Sequence, residues 1–217
     1  MALSFTDPRD GQVYKTVQIG NQIWMAENLN YEIEGSWCYD NNPEYAQKYG
    51  RLYTWEAAMK AAPEGWHLPS MAEFETLLAA VGGKNFENRI FDEDVDSPYL
   101  NDCVALSGTY SHRSPEDVDG PHLNDCVASV GKLLKSASTW CNSGNGMDTF
   151  GFSALLAGYR SNNGSFYDAG YNANFWSAEE YSDYFSCSMN LYYHQDSAHL
   201  HDADGKDYAY SVRCLRD

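Results

Sequence analysis

No stretch of this sequence approaches the run of about 18 apolar residues that a membrane-spanning helix needs, so membrane insertion is not expected. Basic residues are scarce: 14 Lys and Arg stand against 31 Asp and Glu, a formal net charge of −17. No Lys/Arg cluster relieves that balance. A phosphate backbone or an anionic membrane surface would be repelled, which removes nucleic acid from the expected partners. The acidity reads first as a solubilising surface, with attraction to basic partners or to calcium as the other reading. The six cysteines, at 38, 103, 126, 141, 187 and 214, are too few for a disulfide scaffold of 217 residues. None forms Cys-x-x-Cys, so a zinc site is not supported. The segment from Met1 to Asp10 has neither a basic n-region nor an apolar h-region. Two expectations stay open from that: synthesis in the cytoplasm, or an export signal already removed.

What is present favours a folded chain. Hydrophobic residues make up 43% and aromatics 15%, enough for a sizeable core, while 17 glycines and 17 tyrosines suit a loop-rich fold with exposed contacts. A length of 217 is long for one domain and short for two. The expectation is a single domain over residues 1–217 carrying an insertion.

Val13 to Trp24 reads as a hairpin: Val13, Lys15, Val17 and Ile19 alternate with polar neighbours, Gly20-Asn21 turns, and Ile23-Trp24-Met25 starts the return. Gly35 to Asn42 is a turn-rich loop. A helix follows from about Trp55 to Ala62, capped by Thr54 and ended by Pro63. A second begins at the capping box Ser70-Met71-Ala72-Glu73, buries Phe74, Leu77, Leu78 and Val81, and stops at Gly82-Gly83.

Residues 84–127 are acidic and weakly periodic, and read as an insertion. Ser97-Pro-Tyr-Leu-Asn-Asp-Cys-Val-Ala105 and Gly120-Pro-His-Leu-Asn-Asp-Cys-Val-Ala128 are a single duplication, too little for a solenoid. Cys103 and Cys126 occupy equivalent repeat positions; a disulfide between them and two free thiols both stay open. Asp92, Asp94 and Asp96 resemble the start of a calcium loop, but the glycine and glutamate such a loop requires are missing. From Phe150 the chain is Gly-, Asn- and aromatic-rich, which suggests short strands and tight turns.

The clearest pattern lies at the end. Cys187, Met189, Leu191 and Tyr193 share one parity; Ser186, Ser188, Asn190, Tyr192 and His194 share the other. After a Gln195-Asp196 turn, Ala198 and Leu200 oppose Ser197, His199 and His201. After Asp204-Gly205, an inward row of Tyr208, Tyr210, Val212 and Cys214 forms the last strand. A three-stranded antiparallel meander with one open polar and aromatic face is expected. Residues 181–205 contain no Lys and no Glu, the usual residues of an inert surface. Tyr, Ser, Asn, Asp and His replace them, the palette of binding loops. His199 and His201 lie two apart on one face, and His194 is near, but no third ligand is specified. Neither a metal nor a cofactor is expected.

Six segments resemble a known family. Phe5-Thr-Asp-Pro-Arg-Asp-Gly-Gln-Val-Tyr14, Ile19-Gly-Asn-Gln-Ile-Trp-Met-Ala-Glu-Asn-Leu-Asn-Tyr31, Tyr49-Gly-Arg-Leu-Tyr-Thr-Trp55, Gly65-Trp-His-Leu-Pro-Ser70, Gly158-Tyr-Arg160 and Ser211-Val-Arg-Cys-Leu-Arg-Asp217 are similar to the Fibrobacter succinogenes major paralogous domain. The resemblance implies an α+β, C-type-lectin-like fold of the formylglycine-generating-enzyme branch, with two helices, a small antiparallel or mixed sheet and long ordered loops. Residues 175–217, from Phe175-Trp-Ser-Ala-Glu-Glu180 to the C-terminal motif, also resemble the variable proteins of diversity-generating retroelements of Bacteroides and their phages. There, mutated adenines scatter Asn codons. The variable, ligand-binding set this implies is Tyr181, Ser182, Asp183, Tyr184, Ser186, Ser188, Asn190, Tyr192, His194, Asp196, Ser197, His199, His201, Asp202, Asp204, Asp207 and Tyr208. Gln195 is not reachable by such scattering. Tyr181, Tyr184, Tyr192 and Tyr208 are the expected anchors, with Asn190, His199 and His201 as polar contacts.

The departures matter. Tyr45 and Ala62 stand where relatives often carry cysteines, which suits a reducing compartment. The calcium-and-sugar motifs of C-type lectins and the reactive cysteine pair of the formylglycine-generating enzymes have no counterpart. The expectation is therefore a non-catalytic binding protein that contacts a protein or glycan receptor on a cell surface. It would sit on a phage tail or as a cell-surface adhesin, and a homo-oligomer such as a trimer would be ordinary there. The alternative is a glycan-binding module without diversification.

Overall fold

The computed structural model describes residues 3–82, 125–127, 130–138 and 140–217 and is mixed α+β. Along the chain run β1 (Leu3–Thr6), β2 (Val13–Ile19), β3 (Gln22–Met25), β4 (Ser36–Trp37), α1 (Pro43–Tyr49), β5 (Leu52–Tyr53), α2 (Trp55–Ala61), β6 (Trp66–His67) and α3 (Met71–Gly82). The second half holds β7 (Asp125–Val127), α4 (Val130–Leu134), β8 (Tyr159–Arg160), β9 (Phe166–Tyr167), β10 (Asn172–Glu180), β11 (Phe185–Tyr192), β12 (Ala198–Gly205), β13 (Tyr210–Ser211) and β14 (Leu215–Arg216). They pair into a five-stranded sheet, β1-β2-β3-β14-β6, a seven-stranded sheet, β4-β5-β13-β10-β11-β12-β7, and the small pair β8-β9.

Local signals explain most of this. The β2–β3 hairpin turns at Gly20, whose φ of 59° suits glycine. Within β2, however, Tyr14 and Thr16 are buried while Val13 and Lys15 face solvent, because Tyr14 inserts into the core and accepts the Asn30 amide at 3.0 Å. The Thr54 hydroxyl caps α2 by accepting the Ala57 amide. The capping box of α3 is formed as the spacing implied: Glu73 Oε2 accepts the Ser70 amide at 2.8 Å and Ser70 Oγ accepts the Glu73 amide at 3.3 Å. Phe74, Leu77, Leu78 and Val81 are buried from that helix, each worth about 1.5–3 kcal/mol.

The chain departs from expectation in three places. Among the described residues there are two further α-helices: α1, capped by Asn42 with Pro43 in its first turn, and the five-residue α4. The last strand does not extend the meander. The antiparallel run is β10-β11-β12, and β13 crosses to lie parallel to β10 and antiparallel to β5, so that three two-residue strands, β13, β5 and β4, complete the sheet on the far side. Finally, the assigned insertion ends in a sheet strand: β7 pairs with β12 through Ala198↔Val127, His199↔Cys126 and Leu200↔Asp125. Cys103, its proposed pairing with Cys126, and Asp92, Asp94 and Asp96 lie outside the described residues.

Two apolar clusters flank the central strand β10. Ala173 and Phe175 point into the first, with Met189, Leu191 and Leu200 and the buried face of α3. Trp176 points into the second, with Tyr53, Tyr210 and Val212. Between them sits Arg213, fully buried. Its five N–H groups reach Asn28 Oδ1 (twice) and the carbonyls of Met25, Phe152 and Ser153.

Candidate functional site

Sheet register decides what can gather at the C-terminal end. Asn172, Asn174 and Trp176 of β10 stand opposite Tyr192, Asn190 and Ser188 of β11, which in turn face His199 and His201 of β12. This is the face opposite Phe175, Met189 and Leu200. The expected separation of an apolar row from a polar row therefore holds at Met189, Leu191 and Leu200 against Tyr192, His199 and His201. Tyr193, expected in the core row, is only half-buried.

A cleft of about 1010 Å³ opens on this face. Asn174 and Asn190 lie in its floor, both almost fully buried. Tyr159, Tyr208 and Tyr210 form one wall, with Tyr159 6.0 Å from Tyr208 and Tyr210 stacked on Trp176 at 4.3 Å. The rim carries Asp183, Asp207 and two exposed aromatics, Tyr184 in the β10–β11 turn at 78% exposure and Phe185 at the start of β11 at 43%.

The β12 side of the cleft depends on a bulge. Register passes from Ser188↔His201 to Ser186↔Asp204, so β12 carries one extra residue. The extra residue returns Asp204 to the cleft face, beside His201, while Asp202 keeps the alternation of Ala198 and Leu200 and is buried on the core side. Asp204 Oδ2 accepts the Ser188 hydroxyl, and Oδ1 accepts the Tyr210 hydroxyl at 3.0 Å. His201 Nδ1 lies 3.3 Å from Asp204 Oδ2, an ion-pair contact without hydrogen-bond alignment. Burial would raise the Asp204 carboxyl, but His201 and the two hydroxyls outweigh it and hold it below the usual range. His201 is raised by Asp204 against the opposing effect of burial.

Eight of the expected residues line the cleft: Asp183, Tyr184, Asn190 and Tyr192, with His201, Asp204, Asp207 and Tyr208. A second group lies past the end of the cleft at the β11–β12 turn. His199 is edge-on to Tyr192 at 5.2 Å and has its Nε2 2.5 Å from Gln195 Oε1 and 3.0 Å from Ser197 Oγ. His194 and Asp196 are exposed there. Burial, then the charges of His194, His201 and Lys135, push His199 down to about 4.

Five residues expected on an open face are buried instead: Ser186, Ser188, Asn190, Ser197 and Asp202. β11 is a central strand, and the longer side chains of its neighbours roof over its small polar residues; Ser186 Oγ donates to the Glu179 carbonyl at 2.5 Å. Tyr181 is not a rim anchor. It packs against the first apolar cluster, because the strand register shifts between Trp176 and Glu180. Ser182 closes the β10–β11 turn by accepting the Phe185 amide at 3.2 Å.

Sequence reasoning missed the lining contributed from elsewhere: Thr54 and Glu56 at the start of α2, Tyr159, Asn162 and Asp168 around β8 and β9, and Asn172 and Asn174. For the two asparagines a signal existed, since they alternate with Ala173 and Phe175 as Asn190 does with Met189 and Leu191.

The turn beyond the cleft is held through its main chain. The Lys135 ammonium donates to the carbonyls of Tyr192 and Gln195. The Lys132 amide donates to the Asp196 carbonyl at 3.0 Å. Gly131 and Gly144 back onto the same segment; a Cβ there would come 2.1 Å from the Ser197 oxygen and 2.4 Å from that of Tyr193. Only glycine permits that approach.

Chemically, Ser188 directs its hydroxyl to Asp204 and to Asn190 Oδ1 rather than to an imidazole. Among the described residues no group of three or more His, Cys, Asp or Glu is placed to hold a metal ion. The two histidines of β12 should titrate apart. His199 should remain neutral until pH falls to about 4, while His201 protonates above the ordinary 6.5. His201 then adds stability below 6.5 that is lost as pH rises through its folded value; His199 adds stability above 6.5 that is lost as pH falls toward 4. Imidazole chemical shifts followed by NMR would check this; coincident titration of the two rings would contradict the described environments.

Fold and site together define a mixed α+β chain with a polar, aromatic cleft over the central strands of an antiparallel run. The model of the Fibrobacter succinogenes major domain matches residues 17–216, and the chain belongs to that family. Searches of curated proteins and of solved structures found no match.

Proposed function

We propose that this chain is a non-catalytic recognition protein of C-type-lectin-like fold, and that the cleft at the end of β10, β11 and β12 is its binding site. The observation that carries the reading is the division of labour across one sheet. Met189, Leu191 and Leu200 hold the scaffold from one face. Tyr192, His201 and Asp204 line the cleft on the other face, together with Tyr184 at its rim and Tyr208 in its wall. Aromatic and short polar side chains on rigid strands give contact area and hydrogen bonds at low entropic cost.

The same division would let residues 181–208 change without disturbing the core, as in the variable proteins of diversity-generating retroelements. Receptor binding on a phage tail, or adhesion at a cell surface, follows as the setting. A near-identical, Asn-rich copy of the segment encoding 175–217 beside a reverse transcriptase gene would support diversification; its absence from the source genome would leave the glycan-binding module.

Binding itself is tested by screening the protein against host-cell envelopes. In the complex so found, Tyr184→Ala should weaken binding by about 1–3 kcal/mol and leave the melting temperature within a few degrees, since the side chain is 78% exposed. Unchanged affinity in Tyr184→Ala and in a Tyr208→Ala variant that stays folded would remove the cleft from the interface.

A further inference from the structure

The charges around the cleft are one-sided. Glu56, Asp168, Asp183, Asp204 and Asp207 all line it. The one lysine in the lining, Lys206, has its ammonium paired with Glu180, which is not part of the lining, and set 4.6 Å over the Trp55 ring. His201 is the remaining basic group, and it stands against Asp204. A ligand entering the cleft therefore meets uncompensated negative potential, which concave walls concentrate.

The carboxylates are dispersed around the cleft rather than convergent. Among the described residues none of them belongs to a group of three that could hold a metal ion. Between them stand aromatic rings: Tyr184 and Phe185 at the rim, Tyr159 and Tyr208 in the wall. Spread negative charge alternating with ring faces is matched by a large, weakly hydrated organic cation, which gains from the ring quadrupole as well as from the carboxylates. The floor adds the amides of Asn174 and Asn190, which can meet both the N–H and the C=O of an extended peptide. At about 1010 Å³ the cleft has room for several residues of such a chain.

We propose that the cleft binds a basic side chain, the guanidinium of an arginine-bearing segment of a partner protein. This rests on the recognition function assigned above. A neutral glycan could donate hydroxyls to the carboxylates but would leave their negative charge uncompensated. The net charge of −17 assists the encounter with a basic protein from beyond contact distance.

The test is calorimetric titration of the full chain with a capped tetra-arginine peptide and with its tetra-citrulline counterpart, which keeps the shape and loses the charge. Saturable binding of tetra-arginine is expected, with citrulline about tenfold weaker or more. Asp183→Asn combined with Asp207→Asn should weaken tetra-arginine binding about five- to tenfold. Glu44→Gln combined with Glu64→Gln removes the same formal charge from exposed residues outside the lining and should change it less than about twofold. Equal losses in the two double variants would mean general attraction to an acidic protein and would overturn the assignment to the cleft. Equal binding of arginine and citrulline peptides would overturn cation recognition. No binding of either peptide, with envelope binding still sensitive to Tyr184→Ala, would overturn the proposal and leave the recognition reading standing; loss of both would sink the two together.

Discussion

Arg213→Met should destabilise the protein by about 3–5 kcal/mol, enough to approach the whole stability of an ordinary domain. Arg213 is fully buried and still charged at neutral pH, although burial pulls it down to about 9. All five of its N–H groups have acceptors, drawn from Asn28 and from the carbonyls of Met25, Phe152 and Ser153. Its guanidinium also lies 4.6 Å from the Phe152 ring centroid. Methionine fills similar space but leaves these acceptors buried without a donor, at about 1–3 kcal/mol for each that no water reaches. Arg213→Lys should also destabilise, because three rotatable donors cannot reproduce a planar fork of five. Urea unfolding of the two variants against the wild type measures both; a loss below 1 kcal/mol in Arg213→Met would show that the acceptors find other partners.

The second large effect is expected at Lys135, which is 1% exposed. Lys135→Met should cost about 1–3 kcal/mol, as the Tyr192 and Gln195 carbonyls lose their donor. Its distinguishing sign is local: amide hydrogen exchange should accelerate at residues 193–197 more than in the strands on either side. A pH signature accompanies it. Burial holds Lys135 down to about 8, against an ordinary 10.5. Between those values the unfolded chain binds a proton that the folded chain does not, so wild-type stability rises with pH across that window, and this increment is lost as pH falls through 8. The Met variant should lack that rise. Parallel pH–stability curves for the two proteins would argue that the lysine is solvated.

How much of this could be read from the chain differed from element to element. α2 and α3 were legible to within a residue or so, because Thr54, Pro63 and the Ser70–Glu73 box act locally. The Gly20-Asn21 turn was legible for the same reason. α1 carried readable signals too, Asn42 before Pro43 and Gly50 after Tyr49, but seven residues without an apolar stripe did not stand out. α4 and the two-residue strands are too short to show a period at all. The parallel placement of β13 beside β10 depends on non-local pairing, on which alternation is silent.

The site was half legible for a related reason. Parity correctly separated Leu191 and Leu200 from Tyr192, His199 and His201. Parity groups Asp202 and Asp204 with Leu200; the outward place of Asp202 followed from the family resemblance, and Asp204 reaches the cleft only through the extra residue in β12, which parity could not detect. Parity also cannot distinguish a side chain that faces away from the core from one that reaches water. Ser186 and Ser188 do the first and not the second, because central strands have neighbours on both sides.

That enclosure bears on how a repertoire built on this sheet would be distributed. Were residues 181–208 randomised, new shapes would arise chiefly at the margin, at positions such as 183, 184, 207 and 208. A bulky residue at 186 or 188 would have to evict Asp204 or its companions before it touched anything outside. Such a library would be broad at its edges and nearly monotone at its centre, and clones selected from it should differ in their rims while sharing one small-residue floor.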